Sequence, residues 1–316
     1  MRFSIAPFTG NSPMEPWPAL AQAAKIFRPD DGSGETIFFY DAVPPQSLAG
    51  SSSLQPVFVL IHGLGDEADS WRHLIPLLNS EGRRVLALDL PGFGRSVAAG
   101  RIGLRNHVAA VLKLIEAVVP ETPVFMAGNS MGALIAEAAA FAKPRHVRGL
   151  VLIDGSIPGG PSNPGLLALV KILFSRKWYR AYRGDDERAW ASLYPYYADL
   201  DSMPLEDREF LRRRVMARVE SGAQEQAYFA TQRSLIRAFA TSPSGFARKI
   251  RRYEGKILLI WGEKDRIIPL SSTDAFRALR PDVELKLVSD AGHLPHQERP
   301  VETARLMADF SFLSDN

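Results

Sequence analysis

The sequence predicts an α/β fold: a mostly parallel sheet with helices on both faces, interrupted by a long helical insertion. Three observations lead there. Short apolar runs recur at Val57–Ile61, Val85–Leu88, Val124–Ala127, Gly149–Ile153 and Lys256–Trp261. They are continuous rather than alternating, as buried parallel strands are. Stretches of helix length separate the earlier runs, the mark of βαβ units. Between about residues 156 and 250 the alternation stops, and strands resume only at Lys256.

Taken in order, residues 1–24 are an N-terminal extension with Phe3, Ile5, Phe8 and Trp17 among prolines and glycines. That composition fits a loosely packed arm. Lys25–Arg28 and Glu35–Val43 read as an edge hairpin around the turn-rich Pro29–Gly34. A serine-rich connection, Pro44–Pro56, leads into the first parallel strand. The α/β core takes residues 25–155 and 251–316, and the insertion takes 156–250. Helix candidates within the insertion are Pro164–Ser175, Asp185–Leu193, Leu205–Val219 and Ala223–Thr241. Its aromatics include Trp178, Tyr179, Tyr182, Trp190, Tyr194, Tyr196, Tyr197, Tyr228 and Phe229. Most of them read as the packing core of those helices, with a few lining an apolar pocket.

The chemistry centres on Gly128-Asn129-Ser130-Met131-Gly132. An apolar run precedes it and a small, helix-favouring run follows it. Ser130 therefore occupies a tight strand-to-helix turn, where only glycine fits two residues to either side. The helix N-terminus there favours developing negative charge. Partners appear downstream. Lys256–Trp261 ends in Gly262-Glu263-Lys264-Asp265, a loop with an acid. Glu284–Val288 ends in Ser289-Asp290-Ala291-Gly292-His293. The order is serine, acid, histidine, each just past the C-terminal end of a strand.

On these residues the chain resembles the α/β-hydrolase superfamily of serine hydrolases, from about Lys25 to the C-terminus. The resemblance implies an eight-stranded type of sheet and a triad of Ser130 as nucleophile, His293 as base and Asp265 as orienting acid. It also implies an oxyanion hole. Val57–Ile61 runs into His62-Gly63-Leu64-Gly65, and by position the backbone N–H groups of Leu64 and Met131 are the donors. In this family an insertion after the strand Gly149–Ile153 is a cap that closes over the serine. The chemistry needs neither cofactor nor metal, and no cysteine cluster or metal-spaced histidine pair suggests a metal site.

Competitors exist for two roles. His296, three residues past His293, is the rival base, and reads as bonding loop backbone instead. Glu263 and Asp154 are the rival acids; Asp154 ends its own strand, a position that some family members use. His62 and Asp89 read as structural, and His73, His107 and His146 as surface or packing residues.

Serine at position 130 argues against dehalogenase and epoxide-hydrolase chemistry, which place aspartate there. Met131 departs from the prolyl aminopeptidase pattern. Carboxylic ester hydrolysis on an apolar or aromatic small molecule is the default reading. Carbon–carbon bond hydrolases of aromatic-ring degradation often share the Gly-Asn-Ser-Met-Gly elbow. Many carry tryptophan after the catalytic histidine, where this chain has Leu294. Acyl transfer and non-enzymatic ligand binding on the same fold are further alternatives.

Bulk properties narrow the classes. The 316 residues are 46% hydrophobic and 23% charged, ordinary for a globular domain with an insertion. With no cysteine and no evident signal peptide, a cytoplasmic location is expected. No apolar run reaches the ~20 residues of a membrane span. The net charge is only +3, and the dense cluster Arg212-Arg213-Arg214 fans around a helix surface rather than lining one nucleic-acid groove, and reads as a solvated face.

Overall fold

In the computed structural model, which describes residues 2–10, 14–45, 57–156, 175–241 and 243–313, one sheet gathers nine strands. They are β1 (Phe3–Pro7), β2 (Ala24–Pro29), β3 (Ile37–Ala42), β4 (Val57–Ile61), β5 (Arg84–Leu88), β6 (Val124–Asn129), β7 (Val147–Ile153), β8 (Lys256–Gly262) and β9 (Glu284–Val288). Their order across the sheet is β1-β2-β3-β5-β4-β6-β7-β8-β9. Pairings from β1 to β5 are antiparallel, and from β5 to β9 parallel.

Successive side chains of the central strands point to opposite faces, so each run feeds two apolar layers. Val59, Ile61, Met126, Leu152 and Leu259 pack with α2 (Leu104–Val118) and α3 (Met131–Ala142). Phe58, Leu60, Phe125, Val151 and Ile260 pack with α1 (Leu74–Ser80) and with a C-terminal helix over Pro300–Leu313. Burial on both faces is why these strands show no alternation.

The insertion between β7 and β8 contains α4 (Arg176–Arg180), α5 (Asp186–Ala191), α6 (Leu205–Glu220), α7 (Gly222–Thr241) and α8 (Pro243–Arg252) among the described residues. Of the candidate Pro164–Ser175, residues 164–174 lie outside them. α8 was not anticipated; its signals are Pro243 at its first position and Phe246 and Ile250 one turn apart. Trp190, Tyr197, Leu200, Leu211 and Leu294 form a small cluster of their own, so part of the aromatic content is packing core. After β8 come α9 (Ser272–Leu279), α10 (Pro295–Glu298) and α11 (Pro300–Leu313).

Three expectations need correction. The N-terminal arm is not loosely packed: β1 pairs with β2 along its whole length, making a ninth strand and displacing the hairpin from the edge. Trp17 is buried, its N–H facing Tyr40 Oη at 3.0 Å and Asp69 Oδ1 at 3.1 Å. Arg212-Arg213-Arg214 is not one solvated face either. Helical spacing of 100° per residue fans the three apart, and Arg214 points inward to Glu67 and Asp69 with its side chain only 2% exposed.

Candidate active site

The strand order sets the site. β4, β6, β7, β8 and β9 lie side by side, and their C-terminal ends bring His62–Gly65, Ser130, Asp154, Asp265 and His293 to one edge in that sequence. Register completes the alignment: Ile61 sits opposite Gly128, Asn129 opposite Ile153, and Ile153 opposite Ile260.

Ser130 has φ +54° and ψ −117°, a strained conformation for a side-chain-bearing residue. Its neighbours enforce the strain. A Cβ on Gly128 would lie 2.2 Å from the Gly132 carbonyl, and one on Gly132 would lie 2.0 Å from Ile61 O. The Ser130 N–H donates to Ile153 O at 2.9 Å, pinning the turn to β7. Gly155 is an unforeseen part of this packing, since a Cβ there would meet Ser130 O at 2.5 Å. Ser130 itself remains partly accessible.

His293 and Asp265 are joined. The ring Nδ1–H of His293 donates to Asp265 Oδ2 at 2.9 Å, with the two side chains 3% and 0% exposed. Asp265 Oδ1 accepts the N–H groups of Ile267 at 2.7 Å and Ile268 at 3.0 Å. The His293 N–H donates to Tyr196 O in the insertion at 2.8 Å. Asn129, given no role by sequence reasoning, ties the two halves of the site together. Its Nδ2 donates to His293 O at 2.9 Å and to Ile153 O at 3.2 Å. Its place inside the quoted elbow was the available signal.

On the other side of Ser130, a Cβ at Gly63 would be 3.5 Å from Ser130 Cβ, so the loop carrying Leu64 runs directly beside Ser130. Met131 opens α3, and its N–H has no intrahelical acceptor. His62 holds this loop: Nδ1–H donates to Gly63 O at 2.7 Å and Nε2 accepts from the Leu90 N–H at 2.9 Å. Burial lowers its pKa, so the neutral ring suits that structural place. From the insertion, Arg218 reaches Gly65 O at 3.3 Å and Asp66 at 3.2 Å.

Glu263 is exposed. His296 bonds a side chain rather than loop backbone: Nε2 faces Ser70 Oγ at 2.9 Å, and its ring lies 4.1 Å from that of Trp71. Burial pushes its pKa down to about 3. His107 is likewise held at about 3 by burial and faces Thr231 Oγ1 at 2.9 Å. His73 faces Asp207, and Asp89 accepts from the Ala68 N–H and from Arg95. Asp154 stays next to Asp265 and His293: a carboxylate oxygen of each Asp and a ring nitrogen of His293 lie within 4.8 Å of one another. These three are the cluster of donors spaced for a cation among the described residues, but Asp265 already faces the His293 N–H. A cleft of about 360 Å³ lined by the start of α6 around Asp207 and by the turn at Arg299 contains none of the three. No helix among the described residues is long and apolar enough to cross a membrane.

The chain is 27% identical over 260 residues to a 2-hydroxy-6-oxononadienedioate/2-hydroxy-6-oxononatrienedioate hydrolase of Cupriavidus pinatubonensis, covering 80% of this chain and 85% of the relative. It is 29% identical over 263 residues to the pimeloyl-[acyl-carrier protein] methyl ester esterase of Methylococcus capsulatus, covering 82% and 96%. Its fold matches a meta-cleavage product hydrolase from Pseudomonas fluorescens IP01 with a TM-score of 0.69 at 23% identity, over 90% of this chain and 96% of the other. The sequence model of the alpha/beta hydrolase fold matches residues 56–300, from the first parallel strand through the histidine loop, and the chain belongs to that family.

Proposed function

We propose that Ser130 is the nucleophile of a hydrolase, with His293 as base, Asp265 as orienting carboxylate, and the Leu64 and Met131 N–H groups as the oxyanion hole. The observation that carries this reading is the buried hydrogen bond from His293 to Asp265, set at the sheet edge that also holds the strained Ser130. His293 would take the Ser130 proton as its oxygen attacks a carbonyl carbon. Each oxyanion donor then contributes about 3 kcal/mol to the transition state. Residues 156–250 would act as the cap over a core of residues 25–155 and 251–316.

For the substrate, we propose a vinylogous diketone, the 2,6-diketo tautomer of a 2-hydroxy-6-oxo-dienoate, cleaved at the carbon–carbon bond beside its ketone. The 2-hydroxy-6-oxo hydrolases among the relatives support this class. Collapse of the tetrahedral adduct would expel a conjugated enolate, which takes the proton from His293. Water then releases the acyl group from Ser130. Ester hydrolysis is the second reading. Leu294 stands where many carbon–carbon hydrolases carry tryptophan, and an ester hydrolase is among the relatives.

One screen separates them: a 2-hydroxy-6-oxo-dienoate beside p-nitrophenyl esters of graded acyl length. Higher kcat/KM on the dienoate is expected, with Ser130→Ala abolishing turnover and fluorophosphonate labelling. Turnover of the esters alone would reverse the order. Labelling that survives in Ser130→Ala would remove Ser130 from its role.

A further inference from the structure

Asp154 lies beside the triad in a position that the proposed mechanism does not use. It follows β7 directly, with φ +43°, in the left-handed region that costs a non-glycine residue energy. Its side chain is fully buried. One oxygen, Oδ1, accepts the Gly262 N–H at 2.9 Å. The other, Oδ2, is buried with no donor facing it among the described residues. What does lie near is a second carboxylate: oxygens of Asp154 and Asp265 and a ring nitrogen of His293 fall within 4.8 Å of one another.

Two carboxylates close together in one dry site oppose each other's ionisation. The donors around them are unequal. Asp265 receives three hydrogen bonds, from Ile267, Ile268 and His293. Asp154 receives one, from Gly262. Burial first, and the charge of Asp265 next, push the Asp154 carboxyl well above the ordinary carboxylate range, with Glu298 adding to the same direction. A proton on Asp154 also satisfies its orphaned oxygen by turning it into a donor toward Asp265.

We propose that Asp154 is a second, protonated carboxyl of the triad: a positioning residue that donates a hydrogen bond to Asp265 and stands in for it against His293 when Asp265 is lost. The proposal rests on the reading of Ser130, His293 and Asp265 given above. Asp154 touches no reacting atom in this scheme. It acts through Asp265, holding that carboxylate in line with the imidazole while keeping a single negative charge beneath it.

The test uses the full chain and whichever of the 2-hydroxy-6-oxo-dienoate and p-nitrophenyl acetate it turns over. Asp154→Ala is expected to lower kcat by roughly tenfold or more with a smaller change in KM, the scale of a lost hydrogen bond to a charged group. Asp154→Asn should recover most of that loss, because an amide N–H can donate to Asp265. Asp265→Asn should leave a residual rate that Asp154→Asn in the same chain cuts by about a further tenfold, since the remaining carboxylate is then removed. Infrared difference spectra of wild type against Asp154→Asn at neutral pH should show one protonated-carboxyl band belonging to wild type. The proposal falls if the double variant matches Asp265→Asn, if Asn is as damaging as Ala, or if wild type lacks the band. Should Asp154→Ala fail to fold, the double-variant comparison and the spectrum still decide. Failure of the underlying triad looks different: Asp265→Asn would then be without effect, or Ser130→Ala would keep its turnover.

Discussion

The sheet and the seam that joins it to the inserted helices are built in opposite ways. Every residue of Val57–Ile61 and Val124–Asn129 is buried, and the layers around them are apolar. The seam between α6 and the loops after β4 and β5 is ionic. Arg214 meets Glu67 at 2.8 Å and also Asp69; Arg95 meets Asp69 and Asp89, each at 2.8 Å; Arg72 meets Asp207 at 2.7 Å. These charges are nearly sealed from water, with Arg95 and Asp69 side chains both 1% exposed. Apolar burial is non-directional and supplies most of the stability. A buried ion pair gains little net free energy after desolvation, yet it tolerates only one geometry. The seam ends at Arg218 on Gly65 O, next to Leu64, so the part of the molecule with directional contacts is the part that fixes the proposed oxyanion loop.

The largest effect should come from the sheet. Phe125 is fully buried, 5.4 Å from Phe58 and 5.9 Å from Phe310 between ring centroids. Phe125→Ala is expected to cost about 3–5 kcal/mol of unfolding free energy, measured by urea denaturation. A loss under about 1 kcal/mol would mean that the apolar layer repacks and that the contrast with the seam is overstated. Arg214→Met should come next. It keeps much of the side-chain volume but leaves Glu67 and Asp69 short of a counter-charge, for a loss of about 3 kcal/mol. Hydrogen exchange should rise first in α6. An Arg214→Met protein as stable as wild type would show that the seam holds position only.

Acid should open the seam before the sheet. Burial would raise the pKa of Asp69, but Arg95 and Arg214 outweigh it and hold the carboxyl below its ordinary value of 3.8. Asp207 is also depressed, with burial outweighed by His73 and Arg72. A depressed folded pKa means that the stabilisation is fully present above the unfolded value, about 3.9. It is lost as pH falls through the folded value. At pH 3 only part of it is gone, so the effect is smaller than that of Arg214→Met. His107 and His296, held neutral by burial with pKa values of about 3, add a general loss of stability as pH falls below 6.5. Exchange followed by mass spectrometry as pH is lowered from 6 to 3 should therefore show α6 losing protection ahead of β4 and β6. Simultaneous loss would refute the separation.

The same contrast explains what the sequence made legible. Strands such as Val57–Ile61 and the elbow around Ser130 depend on local composition and on glycines with a steric reason, and both can be read directly. The sheet order then brought the predicted Ser130, Asp265 and His293 to one edge. What escaped were long-range polar pairings with no local signature. Asn129 bonding His293 O spans 164 positions, and His296 facing Ser70 spans 226. β1 escaped because prolines and glycines follow Phe3–Pro7 closely, hiding a short strand whose partner is β2.

The smallest expected effects lie within the one arginine triplet that sequence alone could not divide. Arg212, Arg213 and Arg214 are adjacent and chemically identical, but the helix sends them to three environments. Arg214 enters the seam. Arg212 is partly exposed, pairs with Asp186 and Glu187, and sits 5.1 Å from the Trp190 ring. Arg213 is exposed. Surface pairs are weakened by solvent and by the entropy of holding two long side chains still. Arg212→Ala should therefore shift the urea midpoint only slightly, and part of that shift should disappear in high salt, which screens exposed charges. Arg213→Ala should not shift it measurably. Equal losses at 212 and 214 would mean that burial of the pair does not set its worth, and the distinction between seam and surface would collapse at the one place where composition is held constant.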